Sequence, residues 1–388
     1  MTLLNATAIV GLGLTDVGKV FGKTAPQFAV EAVRKAAQDA GLEMSDIDGL
    51  LVSGGIGDSV GLRVQSDLGL VDLRLCTFMQ GFGSTAGQMV QYASMAVMSG
   101  MAETVAIVWA DNPLQEKTGG SSAYAAHAQK NPSGWSAIAN TGGALTANNL
   151  YALAARRHMQ AYGTTSEQLG AIAVAQRSWA TMNPTAQLRT PITLDDHQSS
   201  RMISDPFRLF DCCLVSNGGA ALIVTSAQRA RHLRQPAVNV LGWAQGHPGQ
   251  AMSRNDSFGL VTGAATAGPA ALKMAGLSLA EIDIVELYDC YTYTALVSLE
   301  DYGFCAKGEG GEFVSQPGIL GPNGSLKVNT GGGQLSSYYL WGMTPLVEAV
   351  IQARGQAGER QVTEHDHLLV SGNGGILGYH STLILGSA

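Results

Sequence analysis

Two tyrosines lie at the ends of predicted elements, where a phenol can reach a reacting group. Tyr288 lies in VELYDCYTYTAL (285–296), where it follows an apolar run that we interpret as a buried strand. Tyr339 lies in VNTGGGQLSSYYLWG (328–342), just before an apparent helix. A tyrosine at a strand end usually packs and makes one hydrogen bond. From the residues alone, both packing and catalytic proton transfer remain open for the two phenols.

The other reactive side chains form no recognisable set. The five cysteines include no CxxC pair and no regular spacing, which excludes a disulfide framework and a zinc ribbon within this chain. Reduced thiols in a cytoplasmic protein are the simple interpretation. The eight histidines show no metal-ligand spacing, so the sequence predicts no metal site.

Composition indicates a large folded core. The chain has 388 residues, of which 46% are hydrophobic and 14% charged, which excludes disorder as the dominant state. The net charge is −7 and no long basic run occurs, which argues against a nucleic-acid or anionic-membrane surface. Residues 75–102 lack charges, but glycines and glutamines interrupt them, so a buried helix is expected instead of a membrane span. The start MTLLNATAIVGLG lacks a basic region and is interpreted as a first strand, not a signal peptide.

The chain repeats one pattern. AAQDAGLEMSDIDGLLV (36–52) and ALKMAGLSLAEIDIVEL (271–287) share Ala-Gly-Leu, then an acidic-Ile-Asp group, then an apolar strand. In each copy an amphipathic helix ends at a glycine, Gly41 or Gly276, that supplies a left-handed turn. Two βαβ-type halves are predicted, at residues 1–235 and 236–388.

The first half carries an extra segment, at about residues 112–200. Its opening, GGSSAYAAHAQKNPSGWSAIANTGG, is rich in Gly, Ser and Asn and predicts a long loop or lid. Two helical stretches follow, the second capped by Thr165 and Ser166. A role in shaping a ligand site and a structural or oligomer-contact role are both compatible with this insertion.

Four ordered segments resemble the thiolase superfamily over nearly the whole chain. The buried helix that opens with the thiolase nucleophile is similar to GFGSTAGQMVQYASMAVMSG (81–100). The H-D-x-F, G-H-P and terminal cysteine–glycine segments are similar to residues 285–296, 328–342 and LLVSGNGG (368–375). The resemblance implies an α/β, thiolase-like, five-layered αβαβα fold made of two duplicated halves.

The departures from the superfamily bear on function. By the resemblance, the nucleophile position falls on Gly83, the two histidine positions on Tyr288 and Tyr339, and the terminal cysteine position on Ser371. Acyl transfer needs a thiolate to hold the acyl group and a histidine to activate it. Standard thiolase activity is therefore not expected.

The tyrosine pair resembles one branch, the lipid-transfer-protein (sterol-carrier-type) thiolase-like enzymes, and within it the steroid side-chain retro-aldolases. The segments L-Y-D-C-Y-T (287–292) and G-G-Q-L (332–335) are similar to that branch, whereas Trp341 stands where a histidine is expected in steroid-acting members. The resemblance implies retro-aldol cleavage of a β-hydroxyacyl-CoA to a carbonyl product and a shorter acyl-CoA, without a cysteine acyl-enzyme. It also implies a homodimer and a small partner with an OB-fold and a zinc ribbon, with no cofactor beyond the CoA of the substrate.

The resemblance also gives roles to residues. Tyr288 is expected to act as base on the hydroxyl and Tyr339 as acid for the enolate carbon, with the opposite assignment left open. A free phenol has a pKa of about 10, and donors near the site are expected to lower it. The oxyanion and substrate-binding residues are expected to be Gly83, Ser84, Ser371, Gly372, Asn373, Gly374 and Gly375, and the supporting residues Asp289, Asn329 and Trp341.

Two other functions remain open from the sequence. The first is an acyl-CoA acyltransferase or thiolase-type Claisen enzyme that uses Ser84 as the nucleophile. An unassisted serine without a matched histidine is a poor acyl acceptor, so this function ranks second. The other is a non-catalytic scaffold subunit of a CoA-enzyme complex, which would leave the two tyrosines unexplained.

Overall fold

The computed structural model of the chain describes residues 6–55, 60–117, 123, 133–144, 146–249 and 254–387. Strands and helices alternate through most of these ranges. The strands are β1 (Thr7–Leu14), β2 (Gly49–Gly54), β3 (Leu75–Phe78), β4 (Thr104–Asp111), β5 (Met202–Ser204), β6 (Phe207–Arg208), β7 (Gly218–Ser226), β8 (Val238–Gly246), β9 (Ile284–Glu286), β10 (Lys327–Val328), β11 (His367–Gly374) and β12 (Tyr379–Gly386). The helices are α1 (Ala25–Ala40), α2 (Val64–Leu68), α3 (Thr85–Met98), α4 (Trp135–Thr141), α5 (Ala147–Tyr162), α6 (Ser166–Thr181), α7 (Leu194–Ser199), α8 (Ala227–Ala230), α9 (Ala264–Ala275), α10 (Thr292–Tyr302), α11 (Gly310–Ser315) and α12 (Met343–Ala353).

One strand order occurs twice. The large sheet runs β10-β9-β11-β12-β8-β1-β7-β4-β2-β3, so that β1-β7-β4-β2-β3 in the first half matches β8-β12-β11-β9-β10 in the second. Directions repeat as well, because β2 and β9 are parallel to both neighbours while β7 and β12 are antiparallel to theirs. The duplicated α/β fold is therefore confirmed. The two halves join edge to edge through two residue pairs of β1 and β8, so strand pairing continues across all ten strands while each half supplies one sheet layer.

The repeated sequence pattern marks the same local structure in both halves. Helix α1 ends at Gly41 with φ 75°, and helix α9 ends at Gly276 with φ 72°. A short 3₁₀ turn and a buried strand follow each glycine. Strand β8, the first of the second copy, begins at Val238, and the domain limits at residues 235 and 236 remain a prediction.

Five layers follow from how the helices pack. Helix α1 lies against β1, β7 and β4, and helix α9 lies against β8 and β12, so each covers the outer face of one half. Helix α3 contacts strands of both halves, and helix α12 packs against β11, β9 and β1, which places the two helices between the halves. Helix α3 begins at Thr85 as expected. Helix α12 begins at Met343 and not directly after Tyr339 as expected, because Trp341 has a φ of 50° that an α-helix does not allow.

The insertion is mainly helical where it is described. Helices α5 and α6 match the two predicted helical stretches, and the Thr165 side chain accepts a hydrogen bond from the Gln168 amide at the start of α6. The predicted glycine-rich loop falls largely outside the described residues, apart from the short helix α4. Among the helices that the structure describes, none combines the length and apolar character needed to cross a membrane.

Candidate active site

The two tyrosine hydroxyls meet. Tyr288 follows β9 by two residues, and Tyr339 follows a π-helical turn, Gly333–Ser337. Their hydroxyl oxygens lie 3.0 Å apart, within hydrogen-bond distance. Tyr288 is buried, with 3% of its surface exposed, whereas Tyr339 is half-buried. The pair is therefore open to solvent on the side of Tyr339.

The ring of Tyr288 fills the space beside Gly83. A β-carbon placed on Gly83 with ideal geometry would lie 2.2 Å from Cε2 and 2.3 Å from Cζ of Tyr288. It would also lie 2.0 Å from the carbonyl oxygen of Asn373. Real β-carbons do not approach other atoms this closely, so no side chain at position 83 is compatible with Tyr288 in this place. The phenol occupies the volume that a nucleophilic side chain at this turn would need.

Ser84 does not point its hydroxyl at the tyrosines. The Oγ atom donates to the carbonyl of Gly81 at 2.6 Å and accepts from Gln88 Nε2 at 3.0 Å. The residue is fully buried. Within the described ranges, no histidine forms a hydrogen bond with it. The groups that would activate a serine nucleophile are therefore not assembled around Ser84 in the described part of the chain.

Asp289 joins the segments that carry the two tyrosines. Its carboxylate accepts hydrogen bonds from the backbone amides of Gln334, at 2.9 and 3.0 Å, and Leu335, at 3.3 Å. Gly333 permits this approach, since a β-carbon there would lie 2.1 Å from Asp289 Oδ2. The residue after Tyr288 is thereby fixed to the turn that leads to Tyr339.

Asn329 makes a second connection. Its Oδ1 atom accepts the backbone N–H of Leu287 at 2.6 Å, one residue before Tyr288. Its own backbone N–H donates to Val285 at 3.1 Å, and its φ is 50°, a conformation that asparagine tolerates. Asp289 and Asn329 thus lie where supporting residues were expected, one on each side of Tyr288 in the hydrogen-bond network.

The predicted terminal glycine loop is mostly strand. Residues 371–374 belong to β11, and Gly375, with a φ of 58°, begins the turn into β12. Gly372 faces the turn before α3, because a β-carbon there would lie 2.9 Å from the carbonyl oxygen of Gly83. Gly374 also faces this turn, because a β-carbon there would lie 2.7 Å from the amide nitrogen of Gly83. These glycines let β11 pack closely against the turn that carries Gly83.

Ser371 is not brought to the tyrosine pair. Side chains alternate between the faces of a strand, so Ser371 and Asn373 point away from the face that Gly372 and Gly374 present to Gly83. The Ser371 hydroxyl lies 3.4 Å from His380 Nε2 in a separate buried cluster. The position expected to face the site is therefore displaced by one residue, from Ser371 to Gly372, and Asn373 contributes its backbone carbonyl, not its side chain, next to Gly83.

Comparisons with known proteins give the family of the chain. Residues 244–387 match the family described as thiolase C-terminal domain-like. The chain is 37% identical to a steroid side-chain-cleaving aldolase from Thermomonospora curvata, over 96% of each protein. It is 36% identical to the 17-hydroxy-3-oxo-4-pregnene-20-carboxyl-CoA lyase of Mycobacterium tuberculosis, over 99% of this chain and all of that one. The chain belongs to the aldolase branch of the thiolase superfamily.

Solved structures give the same family and the same fold. The Ltp2-ChsH2(DUF35) aldolase matches this aldolase with a TM-score of 0.88 and 37% identity, over 100% of this chain and 99% of that one. The Acat5 thiolase of Ascaris suum, solved with coenzyme A, matches with a TM-score of 0.70 at 13% identity, over 99% of this chain and 100% of that one, which reflects the fold alone. The protein is a carbon–carbon lyase, as the sequence predicted.

Electrostatics around the pair differ from the expectation. Burial raises the pKa of Tyr288 well above 10, and the hydrogen bond from Tyr339 offsets this only in part. The expectation that nearby donors lower this pKa is wrong, because Tyr339 provides the only hydrogen bond that the Tyr288 hydroxyl makes to a described residue. Tyr288 is therefore a neutral phenol at neutral pH. Burial also raises the pKa of Asp289 to about 7, although its bonds from backbone amides oppose the rise.

A set of aromatic rings borders the site, of which Trp341 was named from the sequence and the others were missed. Phe82, next to Gly83, is 42% exposed and contacts Trp341 and Tyr379, with ring centroids 5.9 and 6.0 Å apart. Trp341 in turn contacts Trp109 at 5.6 Å. Phe82 and Trp341 have φ values of 54° and 50°, which large side chains rarely adopt and which concentrate at functional sites. Neither conformation can be predicted from the sequence, because nothing in residue type signals a positive φ at a phenylalanine or a tryptophan.

Two surface cavities lie elsewhere on the aldolase. One, of about 590 Å³, lies between α5 and the β5–β6 hairpin and includes Arg156 and Arg208. The other, of about 630 Å³, lies between α1 and α2. Neither is lined by Tyr288 or Tyr339, so the chemistry is assigned to the tyrosine pair on geometry and not on cavity size. Among the described residues, no group of three or more His, Cys, Asp or Glu side chains is placed to hold a metal ion.

Proposed function

We propose that this aldolase cleaves a β-hydroxyacyl-CoA by a retro-aldol reaction, giving a ketone or aldehyde and a shorter acyl-CoA. The observation that supports this most is the Tyr288 ring lying in the side-chain space of Gly83. The Tyr288 phenol, which can carry a proton, therefore lies where acyl transfer would need a nucleophilic side chain. Carbon–carbon cleavage without an acyl-enzyme is the thioester reaction that such a replacement leaves possible.

The proposed reaction moves one proton. The β-hydroxyl of the substrate loses its proton, its O–H electrons form the new carbonyl, and the Cα–Cβ bond breaks. The electrons of that bond become the enolate of the CoA thioester, which is then protonated at Cα. The proton lost by the hydroxyl and the proton gained by the carbon balance. The proposed steps involve no metal or organic cofactor, and CoA takes part only as a portion of the substrate.

The two phenols carry this proton as a relay. One tyrosine accepts the proton of the substrate hydroxyl while it donates its own to the other, and the second donates to the enolate carbon. The 3.0 Å separation of the two hydroxyls supports the exchange between them. A concerted relay also avoids a free phenolate, which the burial of Tyr288 disfavours. Which tyrosine meets the substrate hydroxyl is left open.

The developing enolate needs hydrogen-bond donors. We place the thioester oxygen near the backbone of Gly83, where Gly374 approaches from β11. Backbone amides at the start of a helix carry partial positive charge and suit an oxyanion. Ser84, Gly372 and Gly375 contribute to this proposal by shaping the turn and the strand end, and not through reactive side chains.

The acyl group is proposed to be bulky and apolar. The names of the two curated relatives refer to a steroid side chain and to a pregnene carboxyl-CoA, and we propose a substrate of the same class. The exposed ring of Phe82 beside Trp341 offers an apolar surface next to the tyrosine pair. The Trp341 position, where a histidine was expected, is a proposed determinant of which ring or chain fits.

A product assay tests the function. The purified protein is offered a β-hydroxyacyl-CoA with a tertiary hydroxyl, and the expected products are one carbonyl compound and one shortened acyl-CoA for each substrate consumed. The Tyr288→Phe variant serves as the matched negative control. In a separate reaction the protein is offered a β-ketoacyl-CoA and free CoA, and consumption of free CoA with formation of two acyl-CoA products would identify a thiolase.

A small protein partner is proposed to complete the enzyme. The solved aldolase at 37% identity is named as a complex of two proteins. By the same family relation we propose a partner with an OB-fold and a zinc ribbon. Co-purified with such a partner, the chain is expected to turn over substrate much faster than alone. Full activity of the isolated chain would contradict this proposal.

A homodimer is also proposed. Strand β3 forms the edge of the first half and pairs within the described chain only with β2. Phe78 on this strand and the nearby Met101 are 37% and 45% exposed, which leaves apolar surface beside an unpaired edge. Light scattering at micromolar concentration should give twice the chain mass of 40.3 kDa. A monomer under these conditions would contradict the proposal.

A further inference from the structure

The turn that carries Tyr339 is held from two sides. Asp289 binds it from the side of Tyr288, as described above. On the opposite side, the backbone amides of Gln187 and Leu188 donate to the carbonyls of Ser337 and Ser336, at 2.9 and 3.0 Å. These two donors belong to the segment that follows α6. The insertion therefore contacts the turn that leads to Tyr339 directly.

Ser216 fixes the backbone of Tyr339 itself. Its hydroxyl oxygen accepts the Tyr339 N–H at 2.9 Å and also accepts Gln187 Nε2 at 2.7 Å. Ser216 is fully buried, so water does not replace these bonds without a change in structure. One hydroxyl thus joins the residue that bears the phenol to the segment after α6.

Two further side chains from the insertion bind the same turn. Asn183 Nδ2 donates to the carbonyl of Gly331 at 2.8 Å and to Ser337 Oγ at 3.2 Å. Arg177 Nε donates to Ser336 Oγ at 2.9 Å. Asn183 and Arg177 are only 2% and 4% exposed. The binding of Arg177 is unusual because, in the described ranges, this buried cation forms no ion pair.

Helix α6 packs against the turn too closely for most side chains. A β-carbon on Gly332 would lie 2.5 Å from Cβ of Ala180, and the φ of Gly332 is 96°. Only glycine combines this contact with this backbone conformation. The close approach brings the insertion near enough for Arg177 and Asn183 to reach the turn.

We propose that Ser216, Asn183 and Arg177 form a positioning clamp that sets the Tyr339 hydroxyl against Tyr288. The proposal deepens the proposed function and rests on it, because it takes the tyrosine relay as the catalytic device. Ser216 holds the backbone of Tyr339, while Asn183 and Arg177 hold the turn before it through the Gly331 carbonyl and the hydroxyls of two serines. Of the roles left open for the insertion, this one places it behind the catalytic residue, and not as a cover over the substrate.

The relay is sensitive to small displacements. Proton transfer between two hydroxyls requires an oxygen–oxygen distance near the observed 3.0 Å. A displacement of about 1 Å in a catalytic group can lower turnover by about a hundredfold. Tyr339 has no strand or helix of its own to fix it, since it lies between the π-helical turn and the start of α12. Side-chain contacts to its backbone and to the turn before it, such as that of Ser216, therefore contribute to its position.

The test is Ser216→Ala, which removes one hydroxyl. We expect kcat to fall by about tenfold to a hundredfold while KM changes little, because substrate contacts are intact. Ser53→Ala is the matched control, since Ser53 is equally buried and its hydroxyl has no partner. The control is expected to keep its full kcat.

A double-mutant cycle separates positioning from a general loss of structure. If Ser216 acts through Tyr339, then Ser216→Ala should change kcat by less than about twofold in a Tyr339→Phe background. An equal loss in both backgrounds would overturn the proposal, as would full activity of Ser216→Ala in the wild-type background. If Ser216→Ala does not fold, Asn183→Ala is measured in the same cycle with the same two outcomes.

A crystal structure of the variant gives a measurement that is independent of activity. We expect the oxygen–oxygen distance between the two tyrosines to exceed that of the wild-type crystal in Ser216→Ala and to be unchanged in Ser53→Ala. An unchanged pair in Ser216→Ala would overturn the clamp even if the enzyme cleaves β-hydroxyacyl-CoA. Failure of the wild-type enzyme to cleave that substrate would instead contradict the proposed function.

Discussion

The two halves of the aldolase share one strand order but present opposite chemistry at matching places. In the first half, the turn before the buried helix holds Gly83, which has no side chain, and β2 ends at Gly54, which has none either. In the second half, the corresponding turn holds Tyr339 and Trp341, and β9 leads to Tyr288. The two helix starts meet, since a β-carbon on Gly342 would lie 2.2 Å from the carbonyl oxygen of Gly83.

The difference teaches that one half provides space and the other provides the reactive groups. The duplicated topology brings the two helix starts together, and Tyr288 reaches the same place from the end of β9. The volume of the side chain at position 83 then decides whether the Tyr288 ring fits. The phenol of Tyr288 lies where it does only because position 83 offers no competing atom. In the proposed mechanism, the first half therefore contributes by having no side chain at position 83.

The largest effect is expected in the second half. Tyr288→Phe and Tyr339→Phe should each lower kcat by about 10²–10⁴-fold, because each removes one hydroxyl of the relay. Folding should be normal, since the rings remain. Tyr338→Phe is the matched control, because this buried neighbour belongs to the core. Steady-state kinetics check this, and near-wild-type turnover of either relay variant would remove that tyrosine from the mechanism.

The first half is tested by filling its empty position. Gly83→Ala should lower kcat by about a hundredfold, because the new β-carbon displaces the Tyr288 ring from the relay. Overpacking should also lower the free energy of unfolding by about 1–3 kcal/mol. Gly61→Ala is the control, since a β-carbon at this first-half glycine meets no other atom within 4 Å. If Gly83→Ala retains full activity, then the two halves are not coupled in this way.

Asp289, which joins the two second-half segments, predicts a pH dependence of stability. Burial raises its pKa from 3.8 to about 7, so between these values the folded state holds a proton that the unfolded state has lost. The contribution of Asp289 to stability is therefore greatest below pH 4 and falls as the pH rises to 7. Relative to Asp289→Asn, the wild-type free energy of unfolding should fall by on the order of 2–4 kcal/mol across this window. The free energies of unfolding are measured with denaturant at each pH. If the wild-type and Asp289→Asn profiles are parallel between pH 4 and 7, then the carboxyl does not titrate in this window.

The smallest effect is expected at Ser84. Its hydroxyl binds the carbonyl of Gly81 and not the tyrosines, so Ser84→Ala should change kcat by less than about threefold. A completely inactive Ser84→Ala enzyme would transfer the chemistry to the first half and favour acyl transfer.

Much of this organisation could be predicted from the sequence. The repeat around Gly41 and Gly276 revealed the duplicated fold, and the family resemblance identified Tyr288 and Tyr339. The sequence could not show that the Ser371 hydroxyl lies beside His380 while Gly372 lies next to Gly83, because neighbouring residues of a strand face opposite ways and one residue of register decides which faces the turn. The expected shift of the Tyr288 pKa had the wrong direction. Burial raises this pKa, and burial depends on how the surrounding residues pack around the ring. Phe82 and Ser216 were missed because their importance lies in a backbone conformation and in a contact distant in sequence.

The central claim is that Tyr288 replaces a nucleophile and that no acyl-enzyme forms. Intact-protein mass spectrometry during turnover of a β-hydroxyacyl-CoA tests it most directly, with the reaction quenched in acid. We predict that the protein keeps its unmodified mass at every time point while the carbonyl product and the shortened acyl-CoA accumulate in equal amounts. A transient mass increase equal to an acyl group, localised to Ser84 or to any cysteine, would contradict the account.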